Sequence, residues 1–72
     1  MQLPANLVRA LGGEGNGCGG VRYGNRLRVE LADPAAIDEA ALAVAGVRAA
    51  GRAEGGVVHL LFAMADLDRI AV

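Results

Sequence analysis

Arg26 and Arg28 flank Leu27 in the segment Asn25-Arg26-Leu27-Arg28-Val29-Glu30-Leu31, which from Arg26 onward alternates polar and apolar residues. In a strand, side chains at i and i+2 share a face, so two guanidinium forks would stand side by side. Such a pair can hold a phosphate or an acidic partner surface. The plainer alternative is a solvated strand face of alternating charge. For Tyr23, just upstream, the plain alternative to any chemical role is a cap on the thin core with its hydroxyl at the surface. His59, inside Val57 to Phe62, reads as a partly buried core imidazole rather than a ligand. Cys18 and His59 are the only soft metal ligands and form no ligating cluster, so no metal is expected. Asp66 and Asp68 suit the dipole at a helix start, and a glycosidase-type carboxylate pair would need a cleft that a chain this short does not build. Gly15 and Gly17 make no dinucleotide fingerprint, because no strand precedes them and no helix opens after them. No cofactor is expected.

The elements that must position these residues are readable from periodicity. Leu3, Leu7, Val8 and Leu11 mark a short helix with Pro4 in its first turn and Gly12-Gly13 as its stop. Between Gly12 and Gly24, seven of thirteen residues are glycine. This composition predicts a flexible loop with at most a few paired residues around Val21 to Tyr23, either disordered or folded as a backbone nest for an anion. The strand Asn25 to Leu31 follows, with Leu27, Val29 and Leu31 on the core face and Arg26, Arg28 and Glu30 opposite. Asp33-Pro34 reads as an N-cap and first-turn proline, opening a second helix that ends at Gly46 and buries Ile37, Ala40, Ala41 and Val44. Val47 to Arg52 and Val57 to Phe62 are strands joined by a hairpin-compatible turn, Ala53-Glu54-Gly55-Gly56. Asp66 to Val72 forms a short terminal helix with Leu67 and Ile70 inward. The fold class is therefore α+β, in the order α-β-β-α-β-β-α: a four-stranded antiparallel sheet with helices covering one face.

Seventy-two residues leave room for one small domain spanning residues 1–72. A chain of this size buries only about 60% of its unfolded surface, so any site is expected on the surface rather than in a large cavity. Fifteen alanines and a single Phe and Tyr imply a thin core lined by small side chains. Seven Arg against eight acidic residues give a net charge of −1, which argues against general nucleic-acid binding. One Cys forms no internal disulfide and points to a reducing compartment. The apolar runs Ala40 to Val47 and Val57 to Ala65 are too short to span a bilayer, and Met1 to Leu11 lacks the pattern of a signal peptide. A soluble chain without direct membrane insertion is expected.

In order along the chain, these residues resemble the IIB domain of glucose and N-acetylglucosamine permeases of the bacterial sugar phosphotransferase system. Leu7-Val8-Arg9-Ala10-Leu11-Gly12-Gly13-Glu14-Gly15-Asn16 is similar to that family's helix, Gly-Gly and Asn segment. Asn25-Arg26-Leu27-Arg28-Val29-Glu30-Leu31-Ala32-Asp33 is similar to its Thr-Arg-Leu-Arg strand and following Asp, and Ile37-Asp38 and Gly46 continue the likeness. The spacing from Gly12-Gly13 to Arg26-Leu27-Arg28 fits the family without a gap. The resemblance implies a cytoplasmic domain, held at the inner face of the membrane through a IIC partner. It would accept phosphate from a phosphohistidine on IIA and pass it to sugar bound by IIC.

The family's carrier is a Cys at the end of the first strand, in Cys-x-Thr-Arg-Leu-Arg. The matching residues here are Tyr23-Gly24-Asn25-Arg26-Leu27-Arg28, so Tyr23 stands at the acceptor position and Asn25 replaces Thr. Cys18 lies five residues earlier and reaches register only through an insertion. A thiol ordinarily titrates near about 8.5 and nearby Arg and turn amides favour its thiolate, whereas a phenol near about 10 needs a base to act as nucleophile. The sequence offers no evident base. The resemblance therefore implies a module without its carrier, acting in docking or regulation with Asn25, Arg26 and Arg28 as the phosphate or partner contacts. Two alternatives stand beside it: an active carrier using Cys18 or Tyr23, and an unrelated small interaction or metabolite-sensing domain.

Overall fold

A computed structural model describes residues 3–17 and 19–70. Helix α1 (Ala5–Ala10) leads to strand β1 (Val21–Tyr23), β2 (Arg26–Glu30), helix α2 (Glu39–Val44), β3 (Val47–Arg52), β4 (Val57–Phe62) and helix α3 (Met64–Ile70). The strands form one antiparallel sheet in the spatial order β1-β2-β4-β3. Both hairpins, β1-β2 and β3-β4, join sequence neighbours, while the central β2-β4 contact is made across α2. The α+β class and the expected element order are observed.

Alternation in β2 and β4 decides which face is covered. Leu27 and Val29 in β2, and Val58, Leu60 and Phe62 in β4, are buried. They meet Leu7, Ala10 and Leu11 around α1, Leu42 of α2 and Leu67 of α3 in one cluster. Burying one of the larger of these side chains contributes about 1.5–3 kcal/mol, and among the described residues the buried cluster numbers twelve. Ile70 packs against the cluster from α3, as its spacing predicted. α3 begins at Met64, two residues before the expected start, and the last residues of the expected helix lie outside those described.

The Gly-rich segment is more ordered than its composition suggests. Gly12 (φ 103°) and Gly13 (φ 96°) adopt the left-handed region and donate to the carbonyls of Arg9 and Val8, closing α1 with a Schellman-type turn. A 3-10 turn follows at Glu14–Asn16, and Gly17 bridges to Leu31. Asn16 is the reason. Its buried Nδ2 donates to the carbonyls of Leu11 at 2.7 Å and Asp33 at 2.9 Å, and its Oδ1 accepts from the Asp33 amide at 2.6 Å. One side chain thus ties the end of α1 to the end of β2.

The second helix departs from expectation. Asp33 does cap a turn, accepting from Ala35 N, but Pro34–Ala36 is only a 3-10 turn and Ile37 is extended. The helix proper is capped by Asp38, whose carboxylate accepts from Ala41 N. The Asp38 amide donates to Ala10 O of α1 at 2.9 Å and so cannot serve an intrahelical bond from Asp33 onward. The short helix turns Leu42 inward, flanked by Ile37, Ala41 and Ala45. Ala40 is exposed and Val44 is 87% exposed, so neither belongs to the buried stripe predicted for it. The larger Leu42 takes the core position because it removes more apolar surface from water.

Candidate functional site

The face of the sheet away from the helices carries the residues singled out by sequence. The β1-β2 hairpin sets Tyr23 opposite Arg26 and Val21 opposite Arg28. The β2-β4 register then extends each row, setting Leu61 opposite Arg26 and His59 opposite Arg28. Directly opposed residues in a sheet stand about 5 Å apart, and i, i+2 neighbours about 7 Å. The result is a two-row patch, with Tyr23, Arg26 and Leu61 in one row and Val21, Arg28, His59 and Gly51 in the other.

Tyr23 is the last residue of β1 and is 60% exposed. It does not cap the core, because the residue of β1 that turns toward the helices is Arg22. No side-chain hydrogen bond among the described residues involves Tyr23, and no carboxylate or imidazole is paired with its hydroxyl. Val21 beside it is also largely exposed. Along β4, Val57, His59 and Leu61 are half-buried on this same open face.

The two arginines differ in their surroundings. Arg26 is exposed and enters no ion pair among the described residues. Arg28 is half-buried, and its Nη1 lies 3.1 Å from Glu30 Oε1, a pair open to solvent on both sides. Such surface pairs contribute at most about 1 kcal/mol, so Glu30 leaves Arg28 free to exchange partners. Asn25 occupies the turn at the end of the patch. Its carbonyl accepts from Phe62 N at 3.0 Å, while its exposed side chain makes no hydrogen bond among the described residues. Asn25 therefore anchors the turn to β4 through its backbone.

Two residues matter here that sequence reasoning left aside. Arg22 reaches round the hairpin on the helix side: its Nε donates to Gly24 O at 2.8 Å and its Nη2 lies 2.5 Å from Asp68 Oδ1 of α3. With Gly24 at φ 63° in the first central position of the two-residue turn, this fixes the end of β1 and hence the Tyr23 backbone. The signal was the alternation Val21-Arg22-Tyr23, which puts Arg22 on the opposite face. The second is His59, whose position faces the open side rather than the core and lies across from Arg28, an adjacency only the β2-β4 register reveals.

The remaining candidates are accounted for separately. Cys18 lies outside the described residues. Asp66 pairs with Arg69 and Asp68 with Arg22, so both carboxylates of α3 serve structural ion pairs. Among the described residues no three of His, Cys, Asp and Glu stand together as a metal-ligand set, and no helix is long and apolar enough to cross a membrane. The patch is flat. The grooves beside α1 and between α2 and β3 are lined by other residues, including Arg9 and Glu14 in one and Glu39 and Arg48 in the other. Chemically, the open face offers guanidinium donors, an exposed phenol and an apolar β4 stripe, an arrangement suited to docking an anionic surface rather than enclosing a small substrate.

No protein-family model matches the chain, and the search of curated proteins gives no significant match.

Proposed function

We propose that this chain is a IIB-like module of a sugar phosphotransferase system, of the glucose and N-acetylglucosamine type, that lacks the phosphocysteine carrier and acts in docking or regulation of phosphoryl transfer. The observation that carries the reading is the setting of Tyr23. It ends the first strand, at the position the resembled family gives its acceptor Cys, and stands exposed opposite Arg26 with Arg28 on the same face. The motif order supports the same reading, since the Gly-Gly and Asn segment closes α1 and Asn16 clasps the far end of the Arg-bearing strand.

In this reading the partners are a IIA phosphohistidine protein, which meets the open face, and a IIC membrane domain, which holds the sugar and keeps the module at the cytoplasmic face of the membrane. Arg26 and Arg28 supply the charge that attracts the phosphoryl group. Tyr23 occupies the acceptor position without a base to activate it, so the phosphoryl group stays on IIA.

The test is titration of the isotope-labelled chain with a glucose-type IIA protein, followed by amide chemical shifts. The expected result is perturbation concentrated on Val21 to Tyr23, Arg26 to Glu30 and Val57 to Leu61, weakened by added salt. Absence of perturbation at millimolar IIA, or perturbation confined to the helix side, would overturn the proposal.

A further inference from the structure

His59 has an unusual setting for an open-face residue. Its ring is half-buried between Val57 and Leu61 on β4 and Arg28 on β2, and its Nδ1 is buried with no hydrogen-bond partner. On the other side stands Gly51, where a Cβ would meet nothing within 4 Å, so the space beside the ring on the β3 side is open. A buried N–H without an acceptor is more costly than a buried lone pair without a donor, so the neutral ring keeps its proton on Nε2. That nitrogen is then the ring's donor, on a residue that stands directly across from Arg28 on the open face.

We infer that His59 and Arg28, with Arg26 one step along β2, form a phosphoryl-binding subsite in which the imidazole Nε2–H is a positioning donor and the guanidinium groups supply the charge. The three donors stand at neighbouring positions of one face, on two strands and in two rows, and a tetrahedral phosphoryl group can accept from several directions at once where a planar carboxylate cannot. Glu30 is the resident competitor, holding Arg28 at 3.1 Å until an anion replaces it. On this face the other neighbours, Val21, Tyr23 and Leu61, offer a free phosphate no hydrogen-bond donor but the Tyr23 hydroxyl. A phosphoryl group carried by a partner protein adds contacts with Val21, Tyr23 and Leu61, so the protein-borne group is the ligand. The inference rests on the reading of this face as a phosphoryl-docking surface and adds His59 to it. Its test uses small phosphate ligands and no IIA protein, so failure here and failure of IIA docking are separate outcomes.

The experiment is imidazole and guanidinium nitrogen NMR on the labelled chain, first free and then titrated with inorganic phosphate and, in a parallel arm, glucose 6-phosphate. The Nε2–H tautomer is expected in the free chain, with His59 and Arg28 signals moving together and saturating at millimolar phosphate. His59→Val is expected to weaken phosphate binding about five-fold or more, and Glu30→Gln to strengthen it about two-fold, with Arg48→Gln unchanged. An Nδ1–H tautomer, equal shifts at Arg48 and Arg52, or a folded His59→Val chain with unchanged affinity would overturn the subsite. Glucose 6-phosphate binding ten-fold tighter than phosphate would overturn the protein-borne source. If His59→Val does not fold, the tautomer and the concerted shifts of the native chain decide the matter.

Discussion

Replacing Asn16 with Ala removes three side-chain hydrogen bonds at once: two from Nδ2, to Leu11 O and Asp33 O, and one accepted from Asp33 N. The Leu11 carbonyl is buried, and leaving such a group unpaired costs about 1–3 kcal/mol. The Asp33 groups are partly reached by water and lose less, so the total is about 2–4 kcal/mol. A 72-residue domain has roughly 4–11 kcal/mol of stability in all. Since each kcal/mol moves Tm by about 4–8 °C at this size, the expected drop is about 10–30 °C by calorimetry or circular dichroism. Asn16→Asp sharpens the test, because a carboxylate has no N–H to offer and turns an anionic oxygen toward two carbonyls. Protonation restores one donor in the folded state. The folded variant therefore binds that proton more tightly than the unfolded chain, and its deficit against native is smaller at pH 4 than at pH 7. An Asn16→Ala chain melting within about 3 °C of native would refute the clasp, as would an Asn16→Asp deficit that grows on acidification.

Other expectations follow from single residues. Gly56 sits at φ 79° with its carbonyl accepting from Leu31 N at 2.8 Å, and a Cβ there would run into the Leu31 carbonyl. Gly56→Ala should cost more than about 2 kcal/mol in urea unfolding, whereas Gly15→Ala, at a position with open space and no positive φ, should stay within about 1 kcal/mol of native. Leu60→Ala, at the centre of the core, should cost about 2–5 kcal/mol by the same measurement. Arg22→Met should change stability by less than about 1 kcal/mol, since its ion pair is exposed. Amide hydrogen exchange in the Gly24-Asn25 turn should nevertheless quicken, because the Gly24 carbonyl loses its side-chain anchor.

Local pattern carried much of this fold. Alternation in β2 marks the strand and its buried face and sets Arg26 and Arg28 together on the open side, whereas β4 is apolar at every position but His59 and reads as a strand whose buried face only the structure assigns. The parts hidden from the sequence are those decided by contacts between distant segments. Asp33 with its following proline reads as the helix cap, and the helix starts instead at Asp38, whose amide is bound to Ala10 O. The Gly-rich run reads as slack because glycine composition says nothing of the three bonds Asn16 makes to partners as far away as Asp33. His59 resembles a core residue in its apolar run, and only the pairing of β4 with β2 puts it on the open face opposite Arg28. The link from Tyr23 to the acceptor position of the resembled family rests on the resemblance alone. Its exposure came from the pairing of β1 with β2.

The most direct test of the central claim is phosphorylation of the native chain and of Tyr23→Cys by enzyme I, HPr, a glucose-type IIA and phosphoenolpyruvate, read by intact mass and site mapping. A phosphoryl-docking surface that lacks only its nucleophile predicts phosphate on Cys at position 23 of the variant and none on the native chain. Phosphate on the native chain would contradict the loss of the carrier and identify the residue that bears it. No phosphate on either chain, with the variant folded, would contradict the IIB-like reading itself.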